Sequence, residues 1–267
     1  RAGDTPGRYP SGGPLPHLFG VWRLAAPAID FLSPDIYFPD FASWCAAYAQ
    51  PDNPLFIPES VLGSQAAVDA LYAIGQHGAL GFSPFGIDTI EPTDARALAS
   101  SYGALRGLAP LLLGTLLGDA GAVASAGSTS DDGVRVTAAV LLDKASPTAE
   151  RQLGGLTLSV RHEYVWELAS AARLESAWPR AGALFITTAP DEFIVAGSGV
   201  LVTFADAKGG ANIGIERAEL GRVDEGRFIP LRRLNGDQTN QGRHLHLPYG
   251  DVGVQRVRIY RHGRLAG

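Results

Sequence analysis

The 267-residue sequence predicts a chain of mixed class, α/β in its first part and all-β in its second. Short apolar runs alternate with amphipathic, helix-spaced segments up to about residue 106, which is the pattern of βα units rather than of hairpins. Between Asp119 and Asp132 the composition turns to Gly, Ala, Ser and Asp, as in a linker or long loop. Beyond it the apolar residues recur with period two.

In the first part, Leu18, Val21, Trp22 and Ala25 keep helical spacing, and Pro27 ends that helix. Ile29 to Tyr37 reads as a strand opening into a proline-marked loop. Asp40 is placed to cap a helix whose Phe41, Trp44, Cys45 and Tyr48 fall at i, i+3, i+4 and i+7, the stripe of a helix packed on a sheet. Asn53 and Pro54 break the pattern, and Leu55-Phe56-Ile57 is a second strand ending at Pro58-Glu59-Ser60. The cycle repeats: Ser64 is the expected cap of a helix carrying Val68, Leu71 and Tyr72, ended by Gly75 or Gly78. Ala79 to Phe82 forms the third strand, Ser83 to Asp88 its loop, and Thr93 to about Arg106 a further helix. Successive βα units of this kind look like the closing portion of a (β/α)8 barrel, here assigned to residues 1–118.

In the second part, Leu156, Leu158 and Val160 alternate with Thr157, Ser159 and Arg161, and Val257 and Ile259 alternate with polar neighbours. Breaks at Gly154-Gly155, Gly197-Ser198-Gly199, Gly209-Gly210 and Asn235-Gly236 separate such runs. The expectation is a β-sandwich over residues 127–267 that braces the barrel and contributes no catalytic carboxylate.

The formal net charge of -5 gives no footprint for nucleic acid. Leu108 to Leu117, broken by Pro110 and Gly114, is far shorter than a membrane span, so no membrane partner is expected. Cys45 is the single cysteine, which excludes an internal disulfide and a cysteine metal cage. Arg1-Ala2-Gly3-Asp4 has neither an initiator methionine nor a signal-peptide core, so the expectation is a processed chain or a piece of a longer one. No Walker loop, dinucleotide fingerprint or nucleophile elbow occurs.

In a βα barrel the chemistry gathers where strands end and loops begin, the position of Asp35, Glu59 and Asp88. Glycoside hydrolysis needs two carboxylates flanking the scissile bond. Glu59, after an apolar strand and Pro58, is the candidate nucleophile; the plainer alternative is a solvated loop acid.

Several segments in order, Ser11 to Pro16, Val21-Trp22-Arg23, Ala26 to Asp30, Pro34 to Tyr37 and Asn53 to Glu59, together resemble glycoside hydrolase family 35 in its bacterial branch. Arg232 to Thr239 and Gln241 to Leu245 resemble the β-domain appended there. The resemblance implies a retaining, exo-acting β-galactosidase that needs no cofactor or metal, acts on plant-type glycans or oligosaccharides, and is periplasmic or secreted. It implies that the nucleophile lies on the seventh barrel strand, where Glu59 is the matching position. It further implies that Tyr37 can hydrogen-bond the nucleophile and that the loop Ser83 to Asp88 lines the sugar site, with Phe85 as the stacking platform. Tyr37 is otherwise a rim aromatic packed on loops, and Asp35 and Asp88 are otherwise acids that bond loop amides. Trp22 and Trp44 read as core.

The sequence departs from that family at one decisive point. The acid/base glutamate should follow an asparagine, yet Asn53, Asn212, Asn235 and Asn240 are each followed by another residue type. An N-terminal barrel segment is therefore the expected partner, and the chain alone is expected to turn over substrate negligibly. The alternative is a non-catalytic carbohydrate-binding or structural remnant of such an enzyme. His244 and His246, and likewise His162-Glu163, read as solvated residues of a β-surface rather than as metal ligands.

Overall fold

The structure, a computed structural model, describes residues 13–117, 136–166 and 178–263. The linker expected at Asp119 to Asp132 lies outside the described residues. A 3-10 turn at Pro16–Leu18 leads into α1 (Phe19–Ala25), which buries Phe19 and leaves Val21 and Leu24 exposed. The strand expected from Ile29 is confined to β1 (Asp35–Ile36). The side chain of buried Asn53 is the reason: its Oδ1 accepts from Leu32 N at 2.8 Å and its Nδ2 donates to Leu32 O at 3.0 Å. A side-chain amide thus satisfies the backbone where a ladder partner would have done so.

Helix α2 (Phe41–Tyr48) buries Phe41, Cys45 and Tyr48. Asp40 stands before it but makes no capping bond, because its carboxylate accepts the Trp44 indole N–H at 3.0 Å instead. After β2 (Ile57–Ser60), α3 (Gln65–His77) is apolar nearly all round and correspondingly buried. Ser64 sits in helical geometry without capping. Gly78 ends the helix with φ 61°: Ala79 N donates to Ala73 O at 3.2 Å, a closure that the left-handed residue permits. β3 (Phe82–Pro84) follows, then a 3-10 turn at Ile87–Thr89. Helix α4 (Pro92–Leu117) runs well past Arg106 and takes in the apolar stretch through Pro110. Leu105, Leu108 and Leu112 keep one buried face, so burial outweighs the backbone bond that proline removes.

β1, β2 and β3 form a parallel three-stranded sheet in chain order, each strand followed by a helix or helical turn. Among the described residues this sheet is open and no closed barrel is formed. The rest is antiparallel. β4 (Thr137–Leu142), β7 (Ala181–Ala189), β8 (Glu192–Ser198), β10 (Ala211–Asp224), β11 (Arg227–Arg233) and β13 (Gly253–Gly263) make a six-stranded sheet ordered β11-β10-β13-β8-β7-β4. β5 (Thr148–Leu153), β6 (Leu156–His162), β9 (Val200–Asp206) and β12 (Leu245–Leu247) make a four-stranded one ordered β12-β9-β6-β5.

Alternation explains how these layers stack. Val140, Phe185, Phe193, Val195 and Val257 of the larger sheet share a core with Leu156, Leu158, Val160 and Val202 of the smaller. Residues of the opposite face, Ala139, Leu184, Ile186, Ile194 and Ala196, join the core of α3 and α4. The six-stranded sheet is therefore covered on both faces. Two glycines set the approach of the helices: a Cβ on Gly75 would meet Leu184 Cδ1 at 2.3 Å, and one on Gly107 would meet Val223 O at 2.1 Å.

Candidate active site on the parallel sheet

Glu59 owes its position to an irregularity in the parallel sheet. Ile57 pairs with Phe82 and Ser60 with Pro84, so Pro58 and Glu59 together stand opposite Ser83 alone. Such a bulge re-aims a side chain at a sheet end. Ile57 and Ser60 are buried, whereas Pro58 and Ser83 are exposed and Glu59 is half-buried. On the neighbouring strand Asp35 is the register partner of Glu59, and Ile36 that of Ser60.

Two residues past Asp35, the Tyr37 hydroxyl donates to Glu59 Oε1. Partial loss of water around the hydroxyl, that hydrogen bond and the charges of Glu59 and Asp35 hold the phenol above its ordinary range, although the Tyr37 side chain as a whole is exposed. Tyr37 therefore remains a donor at neutral pH. Burial, and then the neighbouring Glu59 carboxylate, also raise the pKa of Asp35. The arrangement is a carboxylate with one oxygen held by a phenol, beside a second acid whose pKa is raised by burial and by that carboxylate.

The remaining sequence-predicted residues follow β3. Ser83 and Phe85 are exposed, and Phe85 N donates to Ser60 O at 3.0 Å, tying this loop to the end of β2. Asp88 lies in the 3-10 turn beyond. The structure thus joins Tyr37 and Glu59 by side-chain contact, sets Asp35 beside Glu59 by register, and places Ser83, Phe85 and Asp88 on the adjoining strand and loop.

Beside this sheet end lies a cavity of about 280 Å³, lined by Tyr37, Phe38, Ser60, Gln65, Asp69 and Arg180 among others. Asp69, only 1% exposed, receives Arg180 Nη1 at 2.8 Å on both carboxylate oxygens. Burial outweighs this partner and pushes the Asp69 carboxyl up to about 6. Asp69 had a signal in the sequence, since an acid amid Ala66, Ala67, Val68 and Ala70 on a buried helix requires a partner. Arg180 had none. A larger cleft of about 630 Å³, between α4 and β10, shares no residue with this site.

The second histidine-bearing region differs from its expected solvated character. His162 is fully buried; its Nδ1 accepts from Tyr164 N at 3.1 Å and its Nε2 donates to Pro179 O at 2.8 Å. Glu163 is buried as well and accepts from Tyr249 N and from His246 Nε2, the latter at 3.0 Å. His244 is also buried. Through Glu163 the chain leaving β6 meets His246 of β12 and Tyr249 just beyond it, a contact no local pattern reveals. Among the described residues no cluster of three or more His, Cys, Asp or Glu side chains is placed to hold a metal ion. Among them, too, no helix is long and apolar enough to cross a membrane.

Residues 98–246, more than half of the chain, match the model of a family described as a domain of unknown function, DUF5597. The chain belongs to the DUF5597 family. No curated protein matches it. The DUF5597 segment begins inside α4 and includes Arg180, His162 and Glu163, whereas Asp35, Tyr37, Glu59, Ser83, Phe85 and Asp88 all precede it.

Proposed function

We propose that this chain is part of a retaining β-glycoside hydrolase, an exo-acting β-galactosidase of family 35 type, with Glu59 as nucleophile. The observation that carries the reading is the Tyr37 hydroxyl donating to Glu59 Oε1 at the end of adjacent parallel strands. A nucleophilic carboxylate must stay ionised and keep one aim while a sugar approaches. A phenol on Oε1 does both and leaves Oε2 for the anomeric carbon.

In this reading β1, β2 and β3 are the sixth to eighth strands of a (β/α)8 barrel, and the antiparallel layers form a sandwich that braces it. Glu59 attacks the anomeric carbon as the glycosidic C–O bond breaks, and the leaving oxygen takes its proton from a carboxylic acid outside this sequence. Water then cleaves the glycosyl ester. That donor belongs to the rest of the barrel, whose packing would also cover the exposed Ile29, Phe31 and Leu80. Ser83, Phe85, Asp88 and Asp35 are the proposed sugar contacts, the substrate is a plant-type β-galactoside or oligosaccharide, no cofactor takes part, and the enzyme acts in the periplasm or outside the cell.

The test uses the full-length protein. Wild type should hydrolyse an activated β-galactoside with retention, and Glu59→Ala should lose turnover by about 1,000-fold or more while still binding the sugar. Azide or formate should then attack from the vacated side and give the α-configured adduct. Near-normal turnover by Glu59→Ala, or a β-configured adduct, removes Glu59 from this role. Galactoside binding without turnover in the wild type would favour the non-catalytic, carbohydrate-binding alternative.

A further inference from the structure

Arg180 ends the connection that enters β7, the strand against which α3 packs. Its guanidinium reaches out of the antiparallel layers toward the parallel sheet. Nη1 grips both oxygens of Asp69 on α3 at 2.8 Å, the planar group lies over Phe41 with its central carbon 5.9 Å from the ring centre, and Nη2 donates to Pro39 O at 2.8 Å. Pro39 is two residues from Tyr37. Ile36 is anchored at the end of β2, as Val61 N, the next residue, donates to Ile36 O at 3.3 Å, and Asp40 is anchored on α2 through Ser43 N at 3.0 Å. Between these anchors the segment Tyr37-Phe38-Pro39 bulges outward, with Tyr37 46% and Phe38 40% exposed. Phe38 rests on Trp44, 5.9 Å between rings.

We infer that Arg180 is a positioning residue: clamped by Asp69, it holds the Pro39 carbonyl and so fixes the loop that aims the Tyr37 hydroxyl at Glu59. The antiparallel half thereby sets the geometry of a site it does not itself carry. Only a guanidinium serves, because its rigid fork satisfies a carboxylate on one side and a carbonyl on the other. A lysine keeps the charge beside Asp69 and loses the reach to Pro39. The kinetic consequence rests on the proposed function; the structural one does not.

The experiment reads Tyr37 directly. Full-length protein carrying tyrosine labelled with 13C at the ring carbon bearing the hydroxyl is titrated from pH 7 to 11, with Tyr37→Phe identifying the Tyr37 resonance and circular dichroism verifying the fold at each pH. In wild type the Tyr37 resonance should stay unchanged while exposed tyrosines titrate near pH ~10. In Arg180→Lys it should shift at neutral pH and titrate within this range, as the exposed tyrosines do. Should that variant not fold, Asp69→Asn/Arg180→Gln removes both charges together, leaves neither unpaired, and makes the same prediction. Identical Tyr37 behaviour in a folded variant and wild type overturns the inference, even if the variant melts earlier.

In the kinetic arm Arg180→Lys should lower kcat about 10-fold with KM changed less than about 2-fold, and add little loss in a Tyr37→Phe background. Additive losses in the two backgrounds count against positioning through Tyr37. Wild type without galactoside turnover rejects the proposed function and leaves the resonance titration to decide on Arg180.

Discussion

Gly107 tests how the helical and antiparallel halves are held together. It lies on the buried face of α4, where a Cβ would stand 2.1 Å from Val223 O, 2.7 Å from Val223 C and 3.3 Å from Val223 Cβ. The first two are backbone atoms, so no rotamer change relieves the clash. Restoring an ordinary contact requires α4 and β10 to part by roughly 1 Å. The same movement strains the bond in which Gly226 N donates to Gly107 O at 2.8 Å. Overpacking of this kind costs about 1–3 kcal/mol, and a weakened hydrogen bond about 1 kcal/mol more. Against this stands the gain of about 1 kcal/mol from replacing a mid-helix glycine by alanine. Gly107→Ala should therefore destabilise by about 1–3 kcal/mol. Gly103, one turn earlier in α4, has nothing within 4 Å of its Cβ position and supplies the control. Gly103→Ala should keep the propensity gain, so the two variants should differ by about 2–4 kcal/mol in urea unfolding at unchanged m. A Gly107→Ala protein as stable as Gly103→Ala would show that α4 does not press on β10 as described.

Tyr37→Phe deletes the donor to Glu59 without removing the ring, and should lower kcat on an activated galactoside about 10- to 100-fold, with a smaller change in KM; unchanged kcat would dissociate Tyr37 from the reaction. His162 supplies a pH dependence. Burial holds its pKa below 6.5, so the unfolded chain takes a proton that the folded chain refuses. Its contribution to stability is complete above about pH 6.5 and is lost as the pH falls through the folded value. Thermal melts of wild type from pH 7.5 to 5 should therefore fall more steeply than those of His162→Gln. Some slope should remain from His244, whose pKa is lowered by burial and by the charges of His246 and Arg161. Parallel melting curves would refute this account of His162.

The candidate site was partly legible because its hydrogen-bonded pair, Tyr37 and Glu59, is local to neighbouring strands. Tyr37 sits one residue beyond β1 and Glu59 near the end of β2, and successive parallel strands bring such positions together without any long-range information. The bulge at Pro58-Glu59 was not legible, since it arises from a mismatch in register against β3. Caps were misjudged for a related reason. Asp40 and Ser64 occupy the expected positions, but Trp44 engages one and Tyr249, with its hydroxyl 3.2 Å from Ser64 Oγ, engages the other. One competitor is local, the indole four residues on, and the other is tertiary, and each engages an oxygen that a cap would have used.

By itself the sequence determined the sequence of elements: apolar spacing marks α2 and α3, a glycine at 75 or 78 ends α3, and the alternation of Leu156, Leu158 and Val160 makes β6 a strand with one buried face. These features depend on residues within a turn or two of one another, and periodicity records them. Only the tertiary structure decided that α3 and α4 cover one face of the six-stranded sheet, that His162 and Glu163 are buried, and that Arg180 crosses 111 positions of chain to pair with Asp69. Each of those depends on which surfaces meet after the layers stack. A side chain's burial and its distant partner are properties of that meeting, and no local pattern encodes them.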